Sequence, residues 1–252
     1  MTPLILKVMI LWLMMSALPA AAQTCRQALA LGLDVSLSVN PIDFTLQREG
    51  LARALLDDEV VVALLGSGQD RLELAVFEWS GQFDQKLLVD WTIIDSRQTL
   101  RRIATTLRES QPSMRSGRTG LGAAMLYARD MFATREHCTN WTLDISGDGA
   151  NNNGILPELV RAQMDEAGIV VNALVIGTNE PNVAFGEVHV GQLARYFQER
   201  VIVGPSSFVE TIIGFDNYAE AMKRKLLREL MPSFVRRDPA PRAVRLLAAR
   251  AN

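Results

Sequence analysis

Cysteine, histidine and aromatic rings are all scarce in this chain of 252 residues. Its two cysteines are too few for a disulfide scaffold, and positions 25 and 138 are too far apart for a local zinc clip or a CxxC redox pair. Its two histidines, His137 and His189, come without the G-x-S-x-G elbow that a Ser-His-Asp hydrolase would display. Aromatic residues make up 6% of the chain and the formal net charge is −2, so there are few stacking platforms and no global field to attract nucleic acid. No Walker lysine is present, and the glycines from Gly117 to Gly122 do not spell G-x-G-x-x-G. No nucleic-acid partner is expected. What remains, 48% hydrophobic and 21% charged residues, is the mixture of a globular domain and excludes disorder.

The amino terminus sets the expected compartment. Lys7, an apolar run at residues 8–18, Pro19 and the small residues Ala20, Ala21 and Ala22 follow the order of a secretory signal. The run is about half of the ~20 residues that cross a bilayer, so cleavage after Ala22 is expected to leave no stable membrane span. The chain should then be exported, periplasmic or secreted, and oxidising conditions should meet its cysteines. Residues 231–252 carry Arg236, Arg237, Arg242, Arg245 and Arg250 against Asp238 and read as a basic, flexible tail. One globular domain is expected between them, at residues 23–230.

Within that domain, residues 28–35 (ALALGLDV) form a nearly unbroken apolar run, as a strand buried on both faces requires. Asn40, Pro41 and Asp43 then supply a cap, a first-turn proline and a first-turn acid for a helix with Phe44, Leu51 and Leu55 inside. Residues 71–80 and 85–95 look like a hairpin across Gly81. Ser96 should cap a helix carrying Leu100, Ile103 and Leu107, and another should carry Leu121, Met125 and Phe132. Strands at residues 141–145, 169–176 and 208–212 alternate with helices at residues 157–167 and 187–199, and a last helix carries Tyr218, Met222, Leu226 and Leu230. Apart from the hairpin this alternation predicts an α/β, doubly wound, mainly parallel sheet with helices on both faces.

Three separated pieces carry oxygen ligands where such a sheet exposes them. Asp34, Ser36 and Ser38 follow the first strand, Thr119 precedes a helix, and Asp148 in SGDG follows the strand beginning at Trp141. Binding crevices in doubly wound sheets lie beyond the carboxyl ends of strands where their order reverses. Two carboxylates and three hydroxyls form a hard, all-oxygen set that suits Mg²⁺, with Mn²⁺ as the alternative, and water filling the rest of an octahedron. Asp144 reads as a strand residue hydrogen-bonded behind the metal loop, with support of the metal shell as the other role.

These residues resemble the metal-ion-dependent adhesion site of the von Willebrand factor A domain family. Asp34, Ser36 and Ser38 match its D-x-S-x-S loop, Thr119 its second-loop threonine, and Asp148-Gly149 its third loop. The runs FEWSG and ISGDGANNNG are similar to a bacterial exported group, domain of unknown function 1194. The resemblance implies six strands in the order 3-2-1-4-5-6 with strand 3 antiparallel, metal contacts from the hydroxyls, aspartates acting largely through water, and one position left for an acidic group of a partner. The loop GRTGLG departs from the family in lacking a second hydroxyl. With that strand order, Cys25 and Cys138 precede Asp34 and Asp148 by nearly equal lengths of chain, and they should meet as a disulfide at the far end of the sheet. The expected function is metal-dependent binding of a protein that presents an acidic side chain, without enzymatic activity. The rivals are a metal-assisted hydrolase of phosphates or esters and a metal-free scaffold.

Overall fold

The leucines and alanines of the first strand divide between two layers: Leu29, Leu31 and Leu33 face one core, Ala28 and Ala30 the other. A computed structural model describes residues 24–66, 70–111, 117–179 and 188–230. The strands are β1 (Cys25–Asp34), β2 (Arg71–Trp79), β3 (Gln85–Ile94), β4 (Trp141–Gly147), β5 (Ile169–Gly177) and β6 (Val209–Ile213). They form one sheet in the order β3-β2-β1-β4-β5-β6. Only β3 runs antiparallel, paired with β2, as the hairpin pattern and the family resemblance both anticipated. β1 lies central and parallel to both β2 and β4, so Asp34 and the residues after Gly147 emerge at the same end.

Helices α1 (Pro41–Leu56), α2 (Asp58–Leu65), α3 (Arg97–Glu109) and α7 (Tyr218–Leu230) cover the Leu29 face. Helices α4 (Leu121–Phe132), α5 (Pro157–Glu166) and α6 (Val190–Arg200) cover the other. The anticipated caps are in place: Asn40 Oδ1 accepts from Ile42 N at 2.8 Å, and Ser96 Oγ accepts from Thr99 N at 3.2 Å. Helix α2 was not anticipated. It exists because Asp57 stays extended and its carboxylate caps a new start, accepting from Glu59 N at 3.0 Å. No helix among the described residues is long and apolar enough to cross a membrane. The expected signal and basic tail lie outside the described residues.

At the amino-terminal end of the sheet Cys25 and Cys138 are joined by a disulfide. Behind β4 and β5, Lys225 of α7 is fully enclosed, with Nζ 2.6 Å from Asp144 Oδ1 and 2.5 Å from Glu229 Oε1. Asp144 is therefore held by a lysine from the helix packed behind β4.

Candidate metal centre

β1 ends at Asp34, and the chain turns at once because Asp34 Oδ1 accepts from Ser36 N at 2.8 Å. Gln47 of α1 holds the outgoing backbone, donating from Nε2 to the Asp34 carbonyl at 2.9 Å. The turn sets the Ser36 and Ser38 hydroxyls 3.0 Å apart, and Ser38 Oγ donates to Asp148 Oδ1 at 2.7 Å. Two of the three pieces separated in sequence thus touch directly. The third adjoins them: a Cβ placed on Gly149 would lie 3.5 Å from Thr119 Oγ1. Asp34, Ser36 and Thr119 are buried, whereas Ser38 is exposed, so the group has a closed floor and an open mouth.

The loops are locked by three asparagines that sequence reasoning passed over. Asn152 accepts at Oδ1 from Thr119 N and donates its own N–H to the Thr119 carbonyl, both at 2.9 Å. Asn151 Oδ1 accepts from Gly122 N at 3.2 Å, and Asn153 Oδ1 accepts from Gln82 N at 2.7 Å. Their side chains satisfy backbone N–H groups that no strand or helix serves, as asparagine does in turns. Three consecutive asparagines between a strand and a proline-started helix are the signal by which they could have been found. The contact is close enough that a Cβ on Gly122 would sit 2.2 Å from the Ile155 carbonyl oxygen. Gly122→Ala is therefore expected to cost about 1–3 kcal/mol through overpacking, read as an earlier thermal melt. A melt unchanged within error would show that this loop yields freely.

Burial first, then the charge of Asp148, pushes the Asp34 carboxyl well above its ordinary range, against hydrogen bonds from Ser36 and from the backbone of Asp148. Burial likewise lifts Asp148 to about 6, with the Ser38 hydroxyl opposing. Among the described residues neither carboxylate forms an ion pair with a lysine or arginine. Asp34 Oδ2 is buried and without a hydrogen-bond partner there. Uncompensated negative charge, an orphaned carboxylate oxygen and three hydroxyls within one pocket of loops fit a hard divalent cation. Such an ion would supply a positive centre able to accept an oxygen ligand from outside. His189 caps α6, its Nδ1 accepting from Gly191 N, and His137 belongs to the opposite end of the sheet near Glu73.

Large apolar side chains are also exposed at this end of the sheet. Phe83, in the β2–β3 turn, is 85% exposed, and Leu37, between the two serines, is 66% exposed. Ile42, Leu156, Leu159 and Ile213 are exposed at the same end, and among the described residues Val62 and Ile93 are the exposed large apolar residues found elsewhere.

The strand order, the single antiparallel strand and the covering helices define a von Willebrand factor A-like α/β domain. Proximal thread matrix protein 1 from the mussel byssus is similar, with a TM-score of 0.59 and 19% identity over 82% of this chain and 49% of that one. The form of that protein with a zinc-occupied MIDAS motif aligns at a TM-score of 0.58, 18% identity and 82% of this chain, covering 46% of its own. Manganese-loaded TRAP protein of Plasmodium vivax aligns at 0.51 and 14%, over 80% of this chain and 73% of that one. The chain spans about half the length of the mussel proteins. No curated protein matches it. The chain belongs to the family described as protein of unknown function (DUF1194), whose profile matches residues 24–234.

Proposed function

We propose that the chain is an exported, non-enzymatic protein-binding domain that works through a divalent cation. Asp34, Ser36, Ser38, Thr119 and Asp148 hold Mg²⁺ or Mn²⁺, and an acidic side chain of a protein partner completes the shell. The observation carrying this reading is the bridge from Ser36 through Ser38 to Asp148, with the buried, unpartnered Asp34 Oδ2 beneath it. The exposed Leu37, set within the Ser36–Ser38 loop itself, and the exposed Phe83 at the same end of the sheet support a protein partner over a small phosphate ester, because a binding surface for a protein needs apolar groups beside its polar contact. Residues 1–22 are the export signal, 23–230 the binding domain and 231–252 a basic tail, and the domain acts in the periplasm or the medium. The disulfide is in keeping with an oxidising compartment.

Thermal melting in EDTA against Mg²⁺ or Mn²⁺ tests the proposal on wild type and Asp34→Ala. Cation at about 100 times its dissociation constant adds about 2.7 kcal/mol to the wild type, a rise of roughly 5–10 °C for a domain of this size. The variant should show little response, and an equal response in both would sink the site. Phosphate-ester turnover that disappears in Asp34→Ala would replace binding by catalysis.

A further inference from the structure

The amino-terminal end of the sheet, away from the oxygen-lined site, gathers a second set of ligand-type side chains. Cys25, Glu73, His137 and Cys138 each present one ligand atom, and all four atoms lie within 4.8 Å of one another. They come from three places in the fold: Cys25 opens β1, Glu73 lies near the start of β2, and His137 and Cys138 lie on the link from α4 to β4. Glu73 holds His137 Nε2 on Oε1 at 2.7 Å and Arg135 Nη1 on Oε2 at 2.9 Å. The cysteines and Glu73 are buried, while the His137 side chain is about half exposed and opens the cluster to solvent.

In the oxidised chain the two sulfurs are bonded to each other and carry no thiolate charge, so the cluster is closed to metal. We propose that it is a redox-gated zinc site: in the reduced chain Cys25, Cys138, His137 and Glu73 bind one Zn²⁺. A dithiol opens it. One of its thiolates attacks a cysteine sulfur and breaks the bond, and its second thiol resolves the mixed disulfide. The donor is left oxidised as its own disulfide, and the chain carries two thiols. Zinc then displaces the two thiol protons and takes both thiolates, an imidazole nitrogen and a carboxylate oxygen.

Two thiolates, an imidazole and a carboxylate suit zinc far better than magnesium. Bond lengths of about 2.0–2.3 Å place the ligand atoms of a tetrahedral shell about 3.3–3.8 Å apart, which atoms already within 4.8 Å reach by side-chain rotation once the sulfurs part. Three anionic ligands exceed the charge of the ion by one. Arg135, on the other Glu73 oxygen, offsets that excess and fixes the carboxylate. Either closure, disulfide or zinc, ties the start of β1 to the approach to β4, so the fold keeps a clasp in both redox states.

The test uses the whole chain reduced with a phosphine, freed of reductant under anaerobic conditions, and titrated with Co²⁺ in excess Mg²⁺. One equivalent should raise a thiolate-to-cobalt charge-transfer band and strong tetrahedral ligand-field bands, bleached by Zn²⁺ and absent from the oxidised chain. Glu73→Gln and His137→Ala should each weaken Co²⁺ binding by at least about 10-fold. Zn²⁺ should raise the melting temperature of the reduced chain and leave the oxidised chain unmoved, and a reduced chain that has unfolded should regain its circular-dichroism signal. The proposal falls if the charge-transfer band is missing, if both variants bind Co²⁺ like wild type, or if Zn²⁺ neither stabilises nor refolds the reduced chain.

Discussion

Lys225→Met is expected to destabilise the folded chain by about 3–5 kcal/mol, because it leaves two carboxylates enclosed with no cation between them. Lys225 and Asp144 are 0% and 1% exposed, and the Glu229 side chain is equally enclosed. The groups facing them from the packed elements are Asn172 of β5, which donates to Glu229 at 2.9 Å, and the Phe208 ring, 5.1 Å from the Lys225 ammonium. Burial first, and then the charge of Asp144, lifts Glu229 from an ordinary 4.5 to about 7. Folded chain therefore keeps a proton that unfolded chain has released between those values, so this group makes stability fall as pH rises through the window. Lys225 is one of the forces holding Glu229 down, and its loss carries the window to higher pH. The deficit of Lys225→Met should accordingly be deeper at about pH 8 than at about pH 5 in denaturant titrations. Adding Asp144→Asn and Glu229→Gln to the same chain should recover most of the loss, since buried charge without its partner is the cost. A deficit below about 1 kcal/mol, or one that shrinks with rising pH, would falsify this account of the triad.

Lys225 also marks the limit of what a sequence shows. It stands one residue before Leu226 in a helix whose apolar positions were plain, yet a lysine on a helix reads as solvated unless its acids are known to lie behind it. Asp144 was recognised as a strand residue held by a hydrogen bond, but its partner is supplied by a helix 81 residues further on, across a crossover no local pattern encodes. The strands were legible for the opposite reason: burial on both faces makes residues 28–35 and 169–176 apolar regardless of their neighbours. The loops carrying Asp34, Ser36, Ser38, Thr119 and Asp148 were legible because strand alternation puts each at a strand end or helix start, and parallel neighbouring strands bring those ends together. The clamp by Asn151, Asn152 and Asn153 was only half legible: three consecutive asparagines mark a tightly bonded turn, but the backbone N–H groups they reach, 29 to 71 residues away, carry no residue-type signature. The break at Asp57 belongs to the same class, a short polar side chain competing with the helix for backbone N–H groups.

Removing the disulfide by Cys25→Ala with Cys138→Ala, measured in EDTA, should cost about 4–5 kcal/mol, a fall of roughly 10–15 °C in melting temperature. The bridge closes a loop of 113 residues and so restricts the unfolded chain far more than the folded one. Native pairing does not depend on it: β1 and β4 are in register from Ala28 opposite Trp141 to Gly32 opposite Ile145, and Thr139 N donates to the Cys25 carbonyl at 2.8 Å. The loss should therefore come with a steeper denaturant dependence, because an unbridged unfolded chain exposes more surface. The cation response proposed for the opposite end should persist below the new melting temperature, since the loops around Asp34 and Asp148 are held by Gln47, Asn152 and the paired strands rather than by the bridge. A loss of stability with no change in that slope would assign the bridge a packing role in the folded state. A cation response lost together with the bridge would mean that the two ends of β1 and β4 are coupled through the sheet.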